Sequence, residues 1–164
     1  LDADRPVLKR HLPTLFLAFA LFFGIQAWQA RGTPDQAPAA LMEWISAQAI
    51  DQSHTMVGVY VWAEWCSICK LQEGTIDALQ AQRPVVTIAM QSGTSDRVKQ
   101  TLSQRGLQWL TLADPDAELS RALGASVVPY FLVIDRQGRV LSSTSGYTTP
   151  WGLRARIWFS RVRL

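Results

Sequence analysis

Apolar residues fall into short runs separated by polar stretches that carry glycine and proline. Met56–Trp62 (MVGVYVW), Val85–Met90 (VVTIAM) and 130–134 (YFLVI) are almost unbroken apolar runs of strand length, rich in β-branched and aromatic residues. Such runs predict strands buried on both faces. The intervening segments read as helices. Residues 66–82 form one, with Leu71, Ile76 and Leu79 as its core positions, and Arg83-Pro84 ends it because proline disfavours the helical region in its predecessor. A second helix spans about 96–105, with Ser95 as N-cap and Gly106 as C-terminal stop. A short strand is expected over 109–112. Asp114-Pro115 then reads as an N-cap with proline at the first helical position, and Gly124 closes that helix. Asp135-Arg136-Gln137-Gly138, between 130–134 and 139–145, is a hairpin signal. Thr149-Pro150 caps a last helix running to the C-terminus, and 40–49 is a short helix with Leu41, Trp44 and Ile45 on one side. The order is β-α-β, then α-β-α, then β-β-α. A strand–helix–strand unit implies a parallel pair and the hairpin adds antiparallel strands, so the fold class is α/β, a mixed central sheet covered by helices.

The N-terminal pattern differs. Arg5, Lys9 and Arg10 precede 12–30, which holds no Asp, Glu, Lys or Arg, and its centre (15–25, LFLAFALFFGI) is almost wholly apolar. As a helix this segment is about 28 Å long, close to the hydrocarbon thickness of a bilayer. Basic residues ahead of it place the N-terminus in the cytoplasm. The expected division is a cytoplasmic tail (1–11), a transmembrane anchor (12–30), a linker (31–39, RGTPDQAPA) and a working domain (40–164). The alternative is a cleaved signal peptide, with Ala30-Arg31-Gly32 as the small-residue site and Trp28 and Arg31 arguing against cleavage. Either way the working domain leaves the cytoplasm.

Composition narrows the chemistry. Among 164 residues, 48% are hydrophobic and 18% charged, enough to bury a core. A net charge of +3 is too mild to argue for nucleic acid. The two cysteines, Cys66 and Cys69, exclude a disulfide framework and a four-ligand zinc site built on cysteine pairs. Covalent haem attachment is also excluded, because Lys70 stands where C-x-x-C-H needs histidine. No prosthetic cofactor and no metal is expected.

The cysteines lie where a buried strand gives way to a helix. Unpaired amides and the helix dipole put partial positive charge at a helix's first turn. A Cys66 thiolate is stabilised there, so its pKa falls below the free value of about 8.5. Cys69, one turn on, is placed to attack a mixed disulfide at Cys66 and release the partner. Cys66 therefore attacks and Cys69 resolves. Two other readings use the same atoms. A static disulfide staple would close too short a loop to constrain the unfolded chain much. A two-thiolate clip for Cu(I) suits soft ligands, but no Met-rich or His-rich tract completes it. Trp62 and Trp65 flank the pair, and Trp65 is the candidate for contact with partner chains.

WAEWCSICK (62–70) resembles the active-site segment of the thioredoxin-like superfamily. Val127-Val128-Pro129 matches the position of that family's cis-proline, although Pro129 alone would read as an ordinary trans-proline at a strand's first residue. Asp135–Gly138 and Gly146 match its closing hairpin. The stretch from Gly106 through Asp114-Pro115 and Gly124 to IDRQG is similar to the membrane-anchored TlpA-like branch, and within it to the proteins of bacterial suppressor-of-copper-sensitivity systems. The resemblance, over about 55–160, implies a thioredoxin fold. It also implies that the Val128 backbone pairs with an incoming substrate chain and that Pro129 packs beside the cysteines. Two departures stand out. Tyr60 replaces thioredoxin's buried aspartate, and Gln72 replaces the glutamate common in TlpA-like relatives, with Glu73 one position along.

The expected activity is exchange of disulfides with protein thiols and disulfides by a single-pass bacterial inner-membrane protein, its C-terminal domain in the periplasm. A membrane electron relay would recharge it if it reduces its partners. A role in copper tolerance rests on resemblance alone. A Cu(I)-binding or copper-delivery module is the alternative from a different class, and a chaperone-like thioredoxin fold using the Val128–Pro129 groove is another. A peroxiredoxin-type site is not expected, since neither Thr nor Ser stands three residues before either cysteine. Ser67-Ile68 does not set the direction of electron flow, because known pairs span about 150 mV.

The last helix carries Arg154, Arg156, Arg161 and Arg163 and no acid, which reads first as a solvated face matched to the helix dipole and second as a face that an anchored domain leans on anionic lipids.

Overall fold

The computed structural model describes residues 32–50 and 53–161, with positions 13, 16, 17, 20, 21 and 24 besides. The chain divides into two units, Leu1–Gly32 and Thr33–Leu164. In the first, positions 13, 16, 17, 20, 21 and 24 are helical. The expected tail over 1–11 and most of the expected span over 12–30 lie outside the described residues. Among the described residues no helix is long and apolar enough to cross a membrane.

The second unit is built on five strands: β1 (Met56–Trp62), β2 (Val85–Met90), β3 (Thr111–Asp114), β4 (Tyr130–Asp135) and β5 (Val140–Ser145), in the order β3-β2-β1-β4-β5. β1 runs parallel to β2 and β2 to β3, while β4 is antiparallel to both β1 and β5. Among the described residues five helices accompany them: α1 (Ala39–Ser46), α2 (Ser67–Gln80), α3 (Ser95–Gln104), α4 (Glu118–Ala122) and α5 (Pro150–Arg161). This is the mixed, helix-covered sheet the sequence implies.

Strand alternation sorts the core into two layers. Val57, Val59 and Val61 of β1 join Ile88, Leu132, Ile134 and the α1 residues Leu41 and Ile45 on one face. Met56, Tyr60 and Trp62 point to the other, against Phe131, against Ile76 and Leu79 of α2, and against Leu153 and Ile157 of α5. Gly58 sits in that second face because a Cβ there would lie 2.9 Å from Cζ of Phe131, so the ring takes the place of a side chain.

β1 and β2 span the expected residues, and the 135–138 turn closes β4 onto β5 with Gly138 at φ +81°. Other elements differ from the sequence pattern. Leu71 is 75% exposed and Gln72 1%, so the buried stripe of α2 is Cys69, Gln72, Ile76 and Leu79. That is the helical stripe ending in Ile76 and Leu79, and Leu71 lies off it. β3 begins at Thr111 instead of residue 109, because Trp109 is drawn into the core, where its indole N–H bonds Asp77. Thr94, not Ser95, caps α3, its hydroxyl accepting from the Arg97 amide at 3.4 Å. α4 starts at Glu118, so Pro115 is not in its first turn. Asp114 ends β3 and caps from a distance, its carboxylate accepting from the Leu119 and Ser120 amides and the Ser120 hydroxyl. α1 stops at Ser46, three residues short of the expected end.

Within the stretch expected to be a linker, residues 33–37 are bonded to the sheet. The Val140 amide donates to Asp35 and the Ala37 amide to Gly138, both at 2.8 Å, and the Thr33 hydroxyl lies 2.8 Å from those of Tyr130 and Ser143.

Candidate active site

Trp62 ends β1, the chain turns through Ala63-Glu64-Trp65, and Cys66 occupies the N-cap of α2 with extended backbone. A cysteine here lies against the first-turn amides. The Cys69 N–H donates to Sγ of Cys66 at 3.1 Å. The two sulfurs are joined in a disulfide, with the Cα atoms 5.3 Å apart. Cys66 is 6% exposed and Cys69 1%, so the first cysteine is the more accessible of the pair. Beside them the chain presents apolar surface to solvent, with Trp65 61% and Ile68 49% exposed.

The turn that presents the cysteines is held from three directions. The Glu64 amide donates to the Ser92 hydroxyl at 2.9 Å. The Trp65 indole N–H donates to the Gln91 carbonyl at 3.2 Å, and Gln91 takes a left-handed φ of 47°. Arg105, the C-cap of α3, donates from Nη2 to the Glu64 carbonyl at 3.0 Å and from Nη1 to Glu73 of α2 at 2.7 Å. Its guanidinium also lies 5.7 Å from the centroid of the Trp62 ring. One cation thus ties the strand end, the turn and the cysteine helix together. Glu64 pairs with Arg97 at 2.7 Å, and that hydrogen bond holds its carboxyl below the usual carboxylate range. Sequence reasoning missed Arg105, Gln91 and Ser92. Arg105 gave no local signal, whereas Gln91-Ser92-Gly93 could have been recognised as a turn.

Tyr60 and Gln72, the fully buried polar side chains next to the cysteine pair, are neutral. The Tyr60 hydroxyl reaches the Cys69 carbonyl at a long 3.5 Å. Burial pushes its phenol well above the ordinary range, and the nearby Glu73 carboxylate adds to the shift. Gln72 accepts from the Thr148 amide at 3.4 Å, which joins α2 to the loop before α5. Glu73 faces Arg105. Trp109 stands edge-on to both Tyr60 and Trp62, at 5.8 and 5.7 Å between centroids. The Trp62 indole N–H donates to the Thr87 hydroxyl at 3.2 Å.

The Val128–Pro129 peptide is cis, as the resemblance implies. Pro129 is buried, and the partly buried Val128 packs against the layer that contains both cysteines. The structure therefore brings Cys66, Cys69 and Val128 to one apolar layer, with Trp65 on its exposed margin. Among the described residues no cluster of His, Cys, Asp and Glu has the composition of a metal site.

Curated relatives match over most of the chain. A thioredoxin-like protein of Haemophilus influenzae is 28% identical over 163 residues, covering 95% of this chain and 96% of its own. A protein of Paracoccus denitrificans named thiol:disulfide interchange protein DsbE homolog is 27% identical over 158 residues, 85% of this chain and 88% of that one. Among solved structures, a secreted thiol-disulfide isomerase of Corynebacterium glutamicum superposes with a TM-score of 0.54 at 23% identity, over 65% of this chain and 71% of that one. The last likeness concerns the fold. The family model named Redoxin matches residues 45–151, which takes in the cysteine pair, the cis-proline and the closing hairpin, and the chain belongs to the Redoxin family.

Proposed function

We propose that this protein is a thiol–disulfide oxidoreductase that exchanges disulfides with protein partners through Cys66. The single observation that carries the reading is the Cys66–Cys69 pair at the N-cap of a helix, with the first-turn amide aimed at Cys66 and that cysteine the more exposed. In the reducing direction the Cys66 thiolate attacks a partner disulfide. One partner sulfur leaves as thiolate, and Cys66 holds the other in a mixed disulfide. Cys69, deprotonated to solvent, then attacks Cys66. The second partner thiolate departs, and the enzyme disulfide remains, with two electrons passed to the partner. The oxidising direction is the reverse. Trp65 and Val128 flank the incoming chain, with Pro129 beneath.

The N-terminal charge pattern supports a tether: three cations ahead of a charge-free apolar stretch favour a working domain on the periplasmic side of a bacterial inner membrane. A reductase so placed draws its electrons from a membrane relay that presents a dithiol. Within the TlpA-like branch, the likeness to the suppressor-of-copper-sensitivity protein ScsD supports a part in copper tolerance.

The test is partner trapping. Cys69→Ser accumulates covalent adducts through Cys66, and Cys66→Ser accumulates none. Equal trapping by both variants overturns the assignment of roles. Tight stoichiometric Cu(I) binding without disulfide exchange overturns the enzymatic reading in favour of a copper module.

A further inference from the structure

The outer surface of α5 is unlike that of a helix facing only water. Leu153, Ile157 and Ser160 point into the core. On the outside, Trp151 is 77% exposed, Trp158 59% and Phe159 62%. Isolated apolar residues are ordinary on a protein surface, but three large aromatics on one helix of 12 residues are not. The Arg154 guanidinium lies over the Trp151 ring at 5.7 Å, and Trp158 stands edge-on to Phe159 at 4.9 Å. Positions 151, 154 and 158 share one side of the helix, so ring, cation and ring follow one another along it.

The charges are of one sign. No Asp or Glu occurs after Asp135. Arg154 and Arg161 are exposed, whereas Arg156 turns inward to the Ser143 carbonyl at 3.0 Å. Only part of the arginine set therefore faces solvent. At the C-terminal end of α5, Arg161 and the half-buried Arg83 line one cavity of about 420 Å³ with Pro84 and Ile157. Burial, and then the charge of Arg161, pull the Arg83 pKa down, and neither arginine has an acidic partner among the described residues.

Indole rings with guanidinium groups and no acid suit the headgroup region of an anionic bilayer, where ring edges meet water and ester groups and cations meet phosphates. The geometry points to α5 as a membrane-contact helix, lying in the interface of an anionic bilayer with Trp151, Trp158 and Phe159 inserted and Arg154, Arg161 and Arg83 on lipid phosphates. This contact does not require the apolar N-terminal segment to span. α5 starts beside Thr148, which bonds Gln72 one turn past Cys69, and ends at the cavity lined by Met56, at the far end of β1. The contact therefore runs lengthwise along the domain, with the cysteines at one end.

The test uses the full chain, labelled with 5-fluorotryptophan and placed with lipid nanodiscs of phosphatidylglycerol and phosphatidylcholine containing a nitroxide lipid. All seven tryptophans then report separately in the fluorine spectrum. Trp151 and Trp158 should broaden at least about threefold more than the buried Trp109, as interfacial insertion requires. In pure phosphatidylcholine discs, in high salt, or in the Arg154→Gln/Arg161→Gln variant, that excess should fall by more than about half, as expected when lipid charge is absent or screened. Broadening no greater than that of Trp109 overturns the proposal, and so does broadening indifferent to lipid charge. Resonances of Trp151 and Trp158 that move with protein concentration in the absence of lipid overturn it in favour of a second copy of the chain. Trp28 reports the N-terminal segment independently. Broadening of Trp28 alone leaves the tether standing without this contact, and broadening of Trp151 and Trp158 alone does the converse.

Discussion

The two faces of the sheet are built from the same strands in different chemistry. Away from the cysteines, β1 contributes Val57, Val59 and Val61, which meet Ile88, Leu132 and Ile134, side chains without a polar atom. Toward the cysteines the same strand contributes Tyr60 and Trp62, which meet Trp109 and Phe131. The aliphatic side chains of the first layer are held by packing and are exchangeable at constant volume, with Tyr130 at its margin bonding the Leu123 carbonyl at 3.2 Å. The cysteine layer also depends on directed bonds: Trp62 to Thr87, Trp109 to Asp77, Gln72 to Thr148, Arg105 to Glu73. Both faces bury large apolar side chains, and the second adds the bonds that place the disulfide.

Substitutions in the two layers should therefore separate stability from reactivity. The largest loss of stability is expected from Leu132→Ala in the aliphatic layer, about 2–5 kcal/mol by denaturant unfolding. The alkylation rate of Cys66 in the reduced, folded variant should be unchanged, and a changed rate would merge the two layers. Arg105→Met on the other face should cost less, about 1–3 kcal/mol. It should also slow Cys66 alkylation near neutral pH, since it removes the cation that joins the cysteine turn to α2.

Tyr60→Phe sharpens the contrast through pH. Burial raises the phenol pKa in the folded state, so only the unfolded chain ionises it as pH climbs past about 10. The wild type should lose stability from that pH upward, and the variant should lose less, in unfolding curves collected across the alkaline range. Glu64→Gln should have the smallest effect, because its ion pair with Arg97 is exposed. Any contribution is present above the ordinary carboxylate range and lost as pH falls through the lowered Glu64 pKa. The melting temperatures of variant and wild type should therefore converge in acid.

The contrast also explains what could be read in advance. β1, β2 and the 135–138 hairpin follow from local apolar runs and turn residues, and the structure has them where the pattern puts them. The cysteine pair was legible because strand, cysteine and helix are adjacent in sequence. Leu71 misled because an apolar residue at helical spacing need not be buried. The buried position next to it is Gln72, whose amide oxygen is satisfied by Thr148 from a distant loop. Trp109 misled for a related reason, since its place is set by Tyr60 and Trp62 of β1 together with Asp77 of α2. At Asp114 the capping chemistry was visible, but the carboxylate reaches over the following residues to a helix that starts at Glu118. Arg105 had no signature, because its partners lie on α2 and in the turn before it.

The strap formed by residues 33–37 affects solubility. An outermost strand normally offers a row of vacant donors and acceptors to any extended polypeptide, and that row is where polymerisation begins. Here Asp35 and Ala37 occupy part of that row beside β5, and Gln36 bridges to Arg139. A protein whose work is to meet other chains at its sulfurs is in this way guarded against fusing with them along its flank.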